Sequence, residues 1–121
     1  AIGLIKEINF NTKNMYEMAK LGYLTATDLA DWLVKEVGVP FRDAHAITGK
    51  VVKLAESKNL GLNELKLNDL RSINENISEE TLKVLSLEYS LKSRDSFGGT
   101  APKMVKKAIK KAKIQWLKNI V

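Results

Sequence analysis

His45 is the only histidine in the 121 residues, and histidine is the residue type most used for proton transfer near neutral pH. It follows Ala44 at the edge of an apolar stripe, so a histidine packed against a neighbouring helix and hydrogen-bonded there is the expected role. Two pairs of neighbouring carboxylates, Asp28 with Asp31 and Glu79 with Glu80, are of a type that does acid/base work when burial or a charge perturbs them. Both pairs fall at predicted helix starts, where carboxylates stabilise the positive end of the dipole. Gly98-Gly99-Thr100 precedes a predicted helix and resembles a weak anion-binding loop, but it lacks the Gly-Lys-Ser/Thr ending of a phosphate loop. Lys103, Lys106, Lys107, Lys110, Lys111, Lys113 and Lys118 crowd the last helix and could neutralise phosphates or an acidic membrane surface. With no arginine and no aromatic reading surface among them, they are expected to be the solvated side of a helix that docks through Val105, Ile109 and Trp116. These residues predict no catalytic, cofactor-binding or metal-binding site.

The elements that must position these residues are helical. Leucine, alanine, lysine and glutamate dominate, and runs with alternating β-branched residues are missing. The length fits one domain of ordinary size. No cysteine is present, which excludes a disulfide scaffold, a thiolate zinc site and a cysteine nucleophile. A net charge of +6 makes an anionic partner worth testing. Apolar runs fall far short of the ~20 residues that span a bilayer, and nothing at the start reads as a signal peptide, so the expected location is cytoplasmic.

Leu4, Ile5 and Ile8 have helical spacing without a cap before them, as at the cut end of a longer helix. Asn11 is placed to cap a second helix that stops near Gly22 in a left-handed turn. Thr25 and Asp28 have the spacing of a reciprocal cap for a helix with the stripe Ala26, Leu29, Ala30, Leu33, Val34 and Val37, stopped at Gly38-Val39-Pro40. A helix from Phe41 to about Lys58 follows. The pair has the outline of a helix-turn-helix whose second member starts with Arg42, Asp43 and His45, although Asp43 would repel phosphate. Gly49 is expected at a close helix crossing. Asn63 and Asn68 are candidate caps of one-turn pieces, Ser78 with Glu79 and Glu80 starts a helix ending near Leu85, and Leu87–Leu91 forms another turn. Thr100 and Pro102 start the last helix, whose apolar side is Val105, Ala108, Ile109, Ala112, Trp116 and Ile120. Trp32, Phe41 and Trp116 are expected to be at least partly buried.

Three stretches carry a resemblance. Gly22-Tyr23-Leu24-Thr25-Ala26-Thr27-Asp28-Leu29-Ala30-Asp31-Trp32-Leu33-Val34, then Val39-Pro40-Phe41-Arg42-Asp43-Ala44-His45 with Gly49-Lys50, then Ser93-Arg94-Asp95-Ser96-Phe97-Gly98-Gly99-Thr100-Ala101-Pro102, resemble in order and spacing the C-terminal region of the argininosuccinate lyase family, in the fumarase/aspartase superfamily. The resemblance implies an all-α fold of stacked helix-turn-helix units, with residues 1–22 the tail of a central helical-bundle domain and 23–121 the C-terminal domain. It further implies a homotetramer that cleaves argininosuccinate to arginine and fumarate in arginine biosynthesis, without metal or organic cofactor and without nucleic acid or membrane partners. In that family the serine credited with the base role lies on a Gly-Ser-Ser-x-Met-Pro loop, and a histidine follows a threonine in another segment. Neither motif occurs here, so no catalytic residue is carried over and the chain alone is expected to be inactive. A basic helical module that binds nucleic acid is the alternative, and a noncatalytic relative on the same scaffold is a third reading.

Overall fold

The computed structural model describes residues 2–117. Lys118 and Ile120, expected on the last helix, lie outside the described residues. The chain is all-α: α1 (Ile2–Lys6), α2 (Thr12–Leu21), α3 (Ala26–Trp32), α4 (Phe41–Lys58), α5 (Leu67–Arg71), α6 (Glu80–Val84), α7 (Leu87–Ser93) and α8 (Pro102–Trp116). A one-turn π segment over Leu33–Val37 prolongs α3, and a 3-10 turn over Leu62–Glu64 precedes α5. Among the described residues no helix is long and apolar enough to cross a membrane.

The core sits where α3 crosses α4 and α6. Leu29, Leu33, Val51, Leu70, Ile77 and Leu85 are fully buried there. Each such side chain contributes roughly 1.5–3 kcal/mol through burial. The stripe read from the sequence therefore does face inward, and Gly38 ends it in the left-handed conformation, φ 75°. Trp32 is half-buried, as expected.

Several local expectations are corrected. Thr25 does not cap α3: the chain enters through a tight turn in which Ala26 N–H donates to the Tyr23 carbonyl (2.9 Å), Thr25 has ψ near 0°, and its side chain is buried without reaching the first-turn amides. A capping hydroxyl needs extended backbone at that position. Gly22 has φ −98°, and the left-handed residue is Tyr23, φ 48°. Asn63 and Asn68 do not cap their turns. The free amides of Gly61 and Lys66 instead donate to the Glu64 and Asp69 carboxylates (2.7 and 3.0 Å), so each cap comes from inside the turn. Asn11 does cap α2, accepting from Asn14 N–H at 3.1 Å, and the Ser78 hydroxyl accepts from Glu80 N–H at 3.3 Å.

Asp69 also accepts from the Lys58 ammonium, joining α5 to the end of α4. That bond, followed by the Lys66 amide, holds its carboxyl below the usual aspartate range. A carboxyl whose folded pKa is depressed stabilises the fold above its ordinary pKa, and the contribution disappears as pH falls through the lower folded value. Thermal melts from neutral to acid pH should thus show Asp69→Asn less stable than the parent sequence at neutral pH, with the difference closing at acid pH. A difference that stays constant over the whole range would remove Asp69 from that role.

Gly49 is the clearest correction inside α4. It is exposed, and a Cβ built there meets nothing within 4 Å, so among the described residues no helix crosses it closely. With space available and helical backbone in place, Gly49→Ala should raise stability by about 0.5–1 kcal/mol through reduced chain entropy. Chemical denaturation of the variant checks this, and a loss of stability would mean that another surface covers the site. Phe41 and Trp116 were expected to be partly buried and are 65% and 70% exposed. Phe41 occupies the first position of α4, beside the open groove between α3 and α4. Helix α8 fully buries none of its residues, so the docking expected through Val105, Ile109 and Trp116 does not occur among the described residues.

Candidate functional site

Helix α3 is the shared wall of two clefts. On its α7 side, Asp28, Asp31, Trp32, Tyr89, Ser93 and Arg94 line a cavity of about 250 Å³. On its α4 side, Ala26, Ala30, Asp31, Phe41, His45 and Thr48 line a groove of about 280 Å³. The helical period explains the division: positions 26 and 30 are one turn apart and turn the small side chains toward α4, while 28 and 32 turn toward α7.

Asp28 joins α3 to the residue that follows α7. One carboxylate oxygen accepts from the Arg94 guanidinium at 3.3 Å across 66 residues of sequence, and the second is buried with no partner. Arg94 in turn donates to the Ser90 hydroxyl at 3.5 Å. Its carbonyl accepts from Ala101 N–H at 3.0 Å, which closes the loop between α7 and α8. Inside that loop Gly99 N–H donates to the Ser96 carbonyl at 2.9 Å, Gly98 adopts φ 77°, and Asp95 pairs with Lys103 at the start of α8. The glycines are thus needed by the loop's own backbone; the capping expected from Thr100 does not occur, since Ala101 precedes α8 and no side chain caps it. Lys103 also holds the Asp95 carboxyl below the usual aspartate range through that hydrogen bond.

The remaining candidates do not gather into a reaction centre. His45 is exposed at the groove rim, its ring 6.2 Å from that of Phe41, instead of packed into a helix interface. Glu79 and Glu80 are exposed at the start of α6, where their helix-end role is the one expected. Among the described residues no group of three or more histidines, aspartates or glutamates is placed to hold a metal ion. Sequence reading missed the Asp28–Arg94 pair and the bond from the Tyr16 hydroxyl to Glu88 (2.9 Å), which ties α2 to α7. Both join residues distant in sequence, and no local spacing encodes them.

The three motif stretches are therefore neighbours in space: the first forms α3, the second opens α4 across the groove, and the third is tied to α3 by Arg94. Residues 23–92 match the family model described as argininosuccinate lyase C-terminal. Among solved structures the chain is similar to EDDS lyase in complex with formate, at 31% identity and a TM-score of 0.75 over 86% of this chain. It is equally similar to an EDDS lyase variant with bound fumarate, at 31% identity and a TM-score of 0.74 over 87% of this chain. The chain spans only 22–23% of the length of those proteins. Since the family model runs through more than half of the residues, including α3 and α4, this chain belongs to the argininosuccinate lyase C-terminal family, whose place is in the fumarase/aspartase superfamily of lyases.

Proposed function

We propose that residues 23–121 are the C-terminal domain, and residues 1–22 the tail of the central helical bundle, of a cytoplasmic homotetrameric enzyme that splits argininosuccinate into arginine and fumarate in arginine biosynthesis. The observation that carries this reading is the Asp28–Arg94 pair, which brings the first and third family-like stretches onto one cleft. In such a cleavage a base removes a proton from the succinyl carbon, and preorganised dipoles stabilise the carbanion beside its carboxylate. The carbon–nitrogen bond then breaks, its electron pair leaving with the guanidino nitrogen, which an acid protonates as the double bond of fumarate forms. No residue of this chain takes the base or acid role, and no metal or organic cofactor is required. The domain's part is to complete the subunit fold and to cover the reaction cleft.

The substrate is the finer half of the reading, because the similar solved structures are those of EDDS lyase. The test supplies argininosuccinate and EDDS separately to the polypeptide that joins this domain to its catalytic segments, and measures fumarate and amine products. Equal amounts of arginine and fumarate from argininosuccinate are expected. Cleavage of EDDS with none of argininosuccinate would reassign the substrate, and cleavage of neither would overturn the lyase reading.

A further inference from the structure

Helix α2 is attached to the elements that follow it at two points. No residue of α2 is fully buried, so the core does not clamp it. One attachment is the chain itself at Gly22-Tyr23. The other is the hydrogen bond from the Tyr16 hydroxyl to the Glu88 carboxylate, 2.9 Å long across 72 residues of sequence. Among the described residues no other hydrogen bond or ion pair joins α2 to an element after Tyr23.

The joint is fixed on one side and free on the other. Tyr23 has φ 48°, a conformation that a bulky residue keeps only where its surroundings impose it. Its side chain packs against the core cluster, and its carbonyl accepts from Ala26 N–H at 2.9 Å. Gly22, just before it, is exposed, and even a Cβ there would meet only the Leu24 side chain, at 3.7 Å. The backbone therefore turns most easily at Gly22. Room for such a turn exists, because Tyr16 and Ala19 are separated from Leu87 and Leu91 by an open cleft of about 460 Å³.

The bond itself is well prepared. Lys20, paired with Glu17 at 3.2 Å, sets its ammonium over the Tyr16 ring, 4.5 Å from the centroid. The bond to Glu88 pushes the Tyr16 hydroxyl above the usual tyrosine range. Its own backbone amide, followed by the Tyr16 hydroxyl, holds the Glu88 carboxyl below the usual glutamate range. Donor and acceptor thus keep their bonding forms through neutral pH.

We propose that Gly22-Tyr23 is a hinge and the Tyr16–Glu88 bond its latch, so that α2 swings as an arm about Gly22 when that one bond opens. An exposed hydrogen bond contributes little net stability, so the latch biases α2 between two placements instead of locking one. The device sets the direction in which the chain before α2 leaves the domain. Where residues 1–22 are the tail of a central bundle, it also sets the angle of the domain on that bundle. Only this last consequence rests on the proposed function, and the test below needs neither substrate nor bundle.

The chain has no cysteine, so two introduced thiols carry spin labels without background. Lys13→Cys and Lys83→Cys place them at exposed positions of α2 and α6, outside the latch. Pulsed electron-spin distance measurement on the whole chain should give one dominant distance and a minor, broader component. Tyr16→Phe removes only the hydroxyl and should lower the ratio of closed to open populations by about three- to tenfold, as for the loss of one such bond. Glu88→Ala should do the same, and the two together no more than either alone, since both break one bond. Circular dichroism of these variants should match the parent's, because neither side chain belongs to the core. A parent distribution as broad as that of Tyr16→Phe would overturn the proposal, as would a Tyr16→Phe distribution unchanged from the parent's. Effects that multiply in the double variant would also overturn it, because the two residues would then act separately.

Discussion

Leu29→Ala is expected to lower the unfolding free energy by about 2–5 kcal/mol, the largest effect of any single truncation considered. Leu29 is fully buried in the middle of α3, at the junction with α4 and α6. Alanine keeps the helix but leaves a void that neighbours packed as tightly as a solid fill only in part. The consequence reaches beyond stability, because α3 is the wall of both clefts and the carrier of Asp28, one position before Leu29. Urea unfolding should show a lower midpoint with an unchanged slope. Phe97→Ala is the control: Phe97 is 98% exposed, and its removal should change stability by less than about 0.5 kcal/mol. Equal effects for the two variants would mean that α3 is not the centre of the core.

The second large effect is expected at Gly99. A Cβ there would sit 2.2 Å from the Arg94 carbonyl oxygen and 3.0 Å from that of Ser96. Both obstacles are backbone, so neither can swing aside as a side-chain tip does. Gly99→Ala must open the loop, and the bond from Ala101 N–H to the Arg94 carbonyl is the first casualty. The cost should be about 1–3 kcal/mol, in the range of overpacking and strain. Hydrogen exchange localises it: the Ala101 amide should lose protection while amides in the centre of α4 exchange at rates set only by the change in global stability. An Ala101 amide as protected as before would show that the loop tolerates the methyl group. Because Arg94 supplies both that carbonyl and the guanidinium on Asp28, the same substitution should loosen the link between the first and third stretches.

What could be read from the sequence was what local chemistry determines. The limits of α4 follow from Pro40, which disfavours helix before it, and from the apolar repeat that runs from Ala44 to Ala55. The Asn11 cap, the Ser78 start and Pro102 at the head of α8 likewise depend on groups within a turn of one another. Thr25 failed as a cap because a preceding turn at Tyr23 had already set its backbone, which residue type alone does not reveal. Gly49 and α8 were misread for a shared reason. A helical pattern tells which face is apolar or small, but not whether its partner lies in the same chain. The candidate site shows the same division: Asp28 and Asp31 were singled out as carboxylates at a helix start, yet the Asp28–Arg94 pair that assembles the cleft spans 66 residues and has no local signature.

The central claim, that this chain is a lyase domain which supplies the scaffold and not the reacting groups, is tested most directly by following fumarate release from argininosuccinate. Three preparations are compared: the 121 residues alone, the catalytic segments alone, and the two joined in one polypeptide. Fumarate from the joined polypeptide and none from the 121 residues is the predicted result. Turnover by the 121 residues alone at the rate of an ordinary enzyme would contradict it.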